Sequence, residues 1–249
     1  MKKIPAVTLL FWVMKICATT LGETAGDLLS MTLNVGYGVS SLILFSIFLV
    51  VLAGQLAVRR YVPVLYWAVI LATSTAGTTL SDYMDRTLGL GYAAGAALLV
   101  TLLLLTLGLW WQSEKSLSVN DIKTRKGELF YWTAILFSNT LGTALGDFLA
   151  DDSGLGFGGG ALLIGSLLAV VVLAHYVTRV PGVLLFWVAF VLTRPFGATF
   201  GDLLTKTPEK HGLGFGTTGS SLILFGILAG LVAYESLRPA ARPAELPAR

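Results

Sequence analysis

Residues 12–27 read WVMKICATTLGETAGD, and the pattern of that stretch returns as WAVILATSTAGTTLSD at 67–82, WTAILFSNTLGTALGD at 132–147 and WVAFVLTRPFGATFGD at 187–202. An aromatic residue precedes each tryptophan: Phe11, Tyr66, Tyr131 and Phe186. Ten residues after each tryptophan stands a glycine (Gly22, Gly77, Gly142, Gly197), and fifteen after it an aspartate (Asp27, Asp82, Asp147, Asp202). A second cluster then follows: Gly36-Tyr37-Gly38, Gly91-Tyr92-Ala93, Gly156-Phe157-Gly158 and Gly214-Phe215-Gly216. Four gap-free matches from Trp to Asp define an internal repeat. The copies start 55, 65 and 55 residues apart, and the fourth has three extra residues, around Pro208 to His211, before its glycines.

The solvent implied for these repeats is lipid. Of 249 residues, 55% are hydrophobic and 12% charged, and mean hydropathy is +0.79. Soluble domains carry roughly 25% charged residues. A span needs about 20 mostly apolar residues, and eight such segments can be drawn, at roughly 6–29, 37–58, 62–84, 91–112, 128–150, 156–178, 182–204 and 214–235. The expected fold class is therefore all-α: an integral membrane protein of eight transmembrane helices in four parallel two-helix pseudo-repeats. Its expected organisation is a first half at 1–112, a polar cytoplasmic hinge at 113–127, a second half at 128–236 and a disordered cytoplasmic tail at 237–249. Of the seventeen Lys and Arg residues, twelve fall on the side of both termini, and only Arg86, Lys206 and Lys210 on the other. The excess of basic residues on one side places both termini in the cytoplasm. Lys2-Lys3 before an apolar run imitates a signal peptide, but Lys15, Glu23 and Asp27 interrupt that run and no small-residue cleavage site closes it.

The stretch from Thr19 to Asp27, echoed from Thr140 to Asp147 and from Arg194 to Asp202, resembles a bacterial family of inner-membrane proteins. That family has four tandem two-helix repeats, each with a characteristic tryptophan, and is labelled a repeat of unknown function. The resemblance runs from about Trp12 to Glu235. It implies a multi-pass protein of the bacterial inner membrane and brings no activity with it.

Chemistry has to be sought in the residues. Positions 8, 11 and 15 after each tryptophan share one helical stripe. They read Thr20, Glu23, Asp27; Thr75, Thr78, Asp82; Thr140, Thr143, Asp147; and Pro195, Ala198, Asp202. A carboxylate near the bilayer centre costs about 2.5–3.5 kcal/mol, so these acids are expected to face the bundle interior. Carboxylates with hydroxyls suit a bound cation, a proton relay or a cationic solute. A divalent metal such as manganese is one cargo that hard oxygen ligands fit, with Glu23, Asp27, Asp82, Asp147 and Asp202 as its ligands. Arg194 lies deep in its span and is expected either to pair with Glu23 or an Asp, or to meet an anionic part of the solute. Lys15, three residues past Trp12, is expected to snorkel to the inner interface.

A structural role competes with each of these readings. The pairs Gly22/Gly26, Gly77/Ser81, Gly142/Gly146 and Gly197/Gly201 let helices approach closely, and an Asp at a helix end can cap the next helix. Asn34-Val35-Gly36-Tyr37-Gly38 has the look of a potassium-channel filter, but nine residues after Asp27 leave no room for a pore helix. A tight turn is the better reading. Cys17 is alone, so no intrachain disulfide or all-Cys metal site exists. His175 and His211 fall at opposite faces, and neither a P-loop nor a nucleophile triad is present. A net charge of +3, thinly spread, excludes nucleic acid as a partner. The lipid bilayer and a small solute or ion remain. The expected function is a membrane transporter of a cation or a proton-coupled small solute, not an enzyme; the alternative is a non-transporting scaffold or sensor with structural charges.

Overall fold

The computed structural model describes residues 3–237 apart from Lys123; the tail expected beyond Leu237 lies outside them. Eight long α-helices account for most of the chain: α1 Leu9–Asp27, α2 Tyr37–Ala57, α3 Pro63–Asp82, α4 Tyr92–Glu114, α5 Arg125–Asp147, α6 Gly156–Val177, α7 Gly182–Thr205 and α8 Thr217–Leu237. Their starts follow local chemistry. Thr8 and Thr124 cap α1 and α5, accepting from the N–H groups of Phe11 and Gly127, and Pro63 opens α3. Gly36 and Gly91 precede α2 and α4 at φ 81° and 72° with ψ near 155°, a backbone region open only to glycine. The glycine clusters are thus turns into helices, as their spacing requires.

One feature escapes the sequence pattern. Past their aspartates, α1, α3 and α5 each run into a five-residue π-helical turn, Leu28–Thr32, Tyr83–Thr87 and Phe148–Asp152. In the fourth copy α7 stays α-helical to Thr205, and the extra residues form a short 3₁₀ turn at Pro208–Lys210.

The odd helices form a closed ring in which α1 packs on α3, α3 on α5, α5 on α7 and α7 on α1. The even helices sit outside it, each mainly against the odd helix of the next repeat: α2 on α3, α4 on α5, α6 on α7, and α8 on α1. The two halves expected from the sequence are therefore interleaved in one bundle. The segment between α4 and α5 is packed against it, with Val119 buried and the Leu117 carbonyl accepting from the Trp187 indole at 3.0 Å.

Small residues set the ring's register. A β-carbon on Gly22 would meet Ser74, and one on Gly26 would meet Thr78; Gly142 faces Arg194 and Gly146 faces Ala198; Gly197 faces Thr19 and Gly201 faces Glu23. Both members of each contact advance together along the chain, so neighbouring inner helices run parallel. At every interface the glycine ten residues after one tryptophan meets the residue seven after the next.

The even helices turn Leu42, Val50, Leu104, Leu162, Val170, Leu222 and Ile223 outward, all exposed. Among the described residues six helices are long and apolar enough to cross a membrane: α2, α3, α4, α6, α7 and α8. Of the eight spans expected, those of α1 and α5 fall short on this measure. Lys15 and Glu23 interrupt α1, and Glu128 and Asn139 interrupt α5, all four of them buried inside the bundle.

The ring makes a stability prediction. Leucine at Gly77 would force its β-carbon to 3.0 Å from the Thr140 amide nitrogen, and that backbone cannot rotate away. Gly77→Leu should destabilise by about 1–3 kcal/mol or more, read as a lowered melting temperature in detergent. Gly108→Ala, with open space around it, should change stability by less than about 0.5 kcal/mol.

Candidate functional site

The axis of the inner ring is polar from its aspartates to Lys15. Its centre is Arg194, fully buried on α7. One terminal nitrogen donates to Glu23 Oε2 on α1 at 2.9 Å; the other donates to Thr78 Oγ1 on α3 at 2.6 Å and to Thr143 Oγ1 on α5 at 2.7 Å. One side chain therefore touches all three other inner helices. Glu23 in turn lies 3.4 Å from the Thr78 hydroxyl and 3.5 Å from that of Thr143. Of the two partners expected for Arg194, it is Glu23 that takes the ion pair.

One turn further on lies the layer of four aspartates, each 3–4% exposed. Arg86 holds two of them, Asp82 Oδ1 at 2.8 Å and Asp147 Oδ2 at 3.0 Å. Lys206 holds the other two, Asp27 Oδ2 at 2.6 Å and Asp202 Oδ1 at 3.0 Å. Burial works against the Lys206 ammonium, but Asp202 and Asp27 outweigh it and hold its pKa above the usual lysine value. Glu23, Asp147 and Asp202 each offer a carboxylate oxygen, and these three atoms lie within 4.8 Å of one another. The acids expected to converge do converge, around a lid of two cations.

The stripe itself is displaced by one residue from the sequence reading. Thr20, Thr75 and Thr140, eight residues after their tryptophans, donate to carbonyls of their own helices, Ile16, Leu71 and Leu136, at 2.9, 3.2 and 2.9 Å. Among the described residues none of the three bonds to another helix. Their place is taken by Thr19, Ser74, Asn139 and Arg194, seven after, which share a face with positions 3, 11 and 15 because residues four apart stack. The first copy shows it in plain sequence, as Lys15, Thr19, Glu23 and Asp27 at intervals of four.

Lys15 does not snorkel. It is fully buried, donates to Asn139 Oδ1 at 3.2 Å and sits 4.0 Å from the centre of the Phe190 ring. Asn139 passes the connection to Thr73 at 2.8 Å. The parallel ring gives Lys15 polar and π partners on the axis, so it has no need to reach for an interface. Trp67, Trp132 and Trp187 likewise lie inside the bundle. With Tyr66, Tyr131 and Trp110 they form a connected aromatic layer, in which the Tyr66 and Tyr131 hydroxyls meet at 2.6 Å. This layer closes the tryptophan end, as Arg86 and Lys206 close the aspartate end.

The ion pairs of the axis divide the ring. Glu23–Arg194 and the Lys206 pairs join α1 with α7; the Arg86 pairs join α3 with α5. Among the described residues no ion pair crosses from α1 to α3 or from α5 to α7. Cross-ties do exist nearer the tryptophan end, in Lys15–Asn139 and in the Trp67 indole donating to Glu235 on α8 at 2.9 Å.

Arg86 and Lys206, read from sequence as loop charges, are thus part of the site. Each stands four residues after its aspartate, a spacing that pairs charges on a helix.

A parallel ring of four two-helix repeats around a charged axis defines the class of protein. The chain belongs to the family of the Repeat of Unknown Function (DUF347), whose copies cover residues 10–61, 65–116, 130–180 and 185–239. Neither a curated protein nor a solved structure matches it.

The central pair gives a direct test. Arg194→Met leaves Glu23 buried without its cation and should cost about 3–5 kcal/mol. Adding Glu23→Gln removes the stranded charge and should restore much of that loss. A double-mutant cycle on melting temperature measures the coupling, and additive losses would show that the two side chains act independently.

Proposed function

We propose that this chain is a multi-pass protein of the bacterial inner membrane, with all eight helices spanning and both termini cytoplasmic, that carries a cation or a proton-coupled small solute along its axis. The observation that carries the proposal is an imbalance of charge. Glu23 and four aspartates, five carboxylates in all, are ion-paired by three cations, Arg194, Arg86 and Lys206, while Lys15, the other buried cation of the axis, pairs with none of them and bonds to Asn139 instead. A surplus of buried carboxylate is expensive in a dry interior, and the balance is met by protons or by a bound cation. Glu23, Asp147 and Asp202 are the best placed to hold a cation, with Asp27 and Asp82 beside them. An all-oxygen set of this kind suits a hard divalent ion such as manganese.

The exposed apolar girdle of α2, α4, α6 and α8 supports the lipid placement, and the excess of Lys and Arg at the tryptophan end supports the orientation. In this arrangement the described conformation is closed at both ends. Opening toward the outside needs Arg86 and Lys206 to part, and the seams that lack ion pairs, α1/α3 and α5/α7, yield at the cost of the Arg194 bonds to Thr78 and Thr143 while every axial ion pair stays whole. The cross-ties near the aromatic layer then act as the hinge. A cation entering the aspartate layer competes with Arg86 and Lys206 for the same oxygens, which couples binding to opening.

A second reading, a non-transporting scaffold or sensor, draws on the same ion pairs: each of the four axial aspartates already has a basic partner. Flux separates the two. In proteoliposomes loaded with a metal- or pH-sensitive dye, Asp147→Asn should lower cation-driven signal at least tenfold while the variant still reconstitutes. If wild-type protein moves neither divalent metal nor protons, and Asp147→Asn alters only stability, the scaffold reading holds.

A further inference from the structure

At the tryptophan end a cavity of about 170 Å³ opens between the segment before α1, the end of α2 and the start of α5. It is far from the axial acids and plays no part in the carrier reading. Its rim carries Lys3, Arg59 and Arg125, and Glu128 lies in its wall. Lys3 Nζ is 2.6 Å from Glu128 Oε2 and 3.4 Å from the Leu56 carbonyl, so its charge is spent on the glutamate. Arg59 and Arg125 have no ion-pair partner among the described residues, and both are exposed. The cavity therefore keeps two unanswered positive charges. It also lies at the first turn of α5, where the helix dipole favours an anion.

The second observation points the other way. The Glu128 side chain is only 5% exposed, yet its Oε1 has no hydrogen-bond partner among the described residues. A buried acceptor left unmade costs about 1–3 kcal/mol or more when charged. It calls for a donor, and a cationic one best of all. One ligand must thus offer an anion to the two arginines and an N–H to the glutamate, within the volume of a few waters at about 30 Å³ each.

We infer that this cavity binds a phosphoethanolamine group, its phosphate between Arg59 and Arg125 and its ammonium on Glu128 Oε1. Bare phosphate would leave Glu128 unsatisfied; a choline headgroup has no N–H to donate; a glycerol headgroup brings no cation. The group can come from a phosphatidylethanolamine lipid or from a soluble phosphoethanolamine. The lipid source rests on the membrane placement proposed above, because the cavity then lies level with the cytoplasmic headgroups.

The test uses delipidated full-length protein in detergent, titrated with phosphatidylethanolamine, phosphatidylcholine, phosphatidylglycerol or free phosphoethanolamine, and read by native mass spectrometry and melting temperature. Phosphatidylethanolamine should bind at least tenfold more tightly than the other two lipids. Glu128→Gln should erase that preference while phosphatidylglycerol still binds, and the doubly substituted R59Q/R125Q, changed only at exposed side chains, should lose all three. Free phosphoethanolamine matching the lipid would assign the soluble source; the lipid alone binding would assign the headgroup. Equal binding of the three lipids by the wild type, or a preference that survives Glu128→Gln, overturns the inference. Recovery of the chain in the soluble fraction of cells would overturn the membrane placement instead, and the free phosphoethanolamine titration would still decide the cavity.

Discussion

Everything in the inner ring is arranged around one buried guanidinium. Arg194 is the only basic side chain among the described residues that bonds to Glu23, Thr78 and Thr143, and its two terminal nitrogens reach all three. Burying such a group alone would cost far more than a domain's whole stability margin. The fold can hold it only because a carboxylate and two hydroxyls are delivered by three other helices in one layer. The glycines are what bring them there. Gly142 is pressed against Arg194 and Gly201 against Glu23, so close approach of backbones and charge pairing are two sides of the same constraint.

Four copies of one repeat would give a ring of fourfold symmetry, and the aspartate layer keeps it. The other layers do not. Seven residues after the tryptophan stand Thr19, Ser74, Asn139 and Arg194; eleven after stand Glu23, Thr78, Thr143 and Ala198; nineteen after stand Met31, Arg86, Asp151 and Lys206. Each of these layers has been made unequal, and always with charges that answer each other across neighbouring helices. A symmetric ring of four aspartates with no cations would repel itself. The departure from symmetry is what makes so dense a group of acids compatible with a closed bundle.

Much of this was legible beforehand. Trp-to-Asp spacing gave four copies, the apolar runs gave eight helices, and the small residues four apart named the close contacts correctly. What failed did so for identifiable reasons. Thr20, Thr75 and Thr140 looked like axial donors because positions 8, 11 and 15 do share a side of a helix; only the closed ring reveals that the seam is centred one residue earlier. Lys15 is expected at an interface because of its nearness to Trp12, a rule written for helices that face lipid, whereas α1, α3, α5 and α7 face one another. The π-helical turns leave no mark on side-chain periodicity, since they are a change in which backbone groups pair. Those turns matter, because they carry Arg86 on the continuation of α3 toward Asp147 of the next helix.

Chain order and spatial order differ, and the difference bears on how the ring can move. Because each even helix lies on the next odd one, α2 to α5 form one continuous packed run, and α6, α7, α8 and α1 form the other. The same division is drawn independently by the axial ion pairs, with Arg86 inside the first group and Arg194 and Lys206 inside the second, while Lys3–Glu128 crosses it at the tryptophan end. Two groups that are each internally bonded by charge, meeting along seams of glycine, serine, threonine and alanine, can separate along the axis with every axial ion pair intact, at the cost of the Arg194 bonds to Thr78 and Thr143. A split between the first and second halves of the sequence would instead have to pull Arg86 from Asp147 and Lys206 from Asp27 at once. The cost of unpaired charge in a low-dielectric interior thus selects the seam, and it selects one that cuts across the repeats as they are written in the chain.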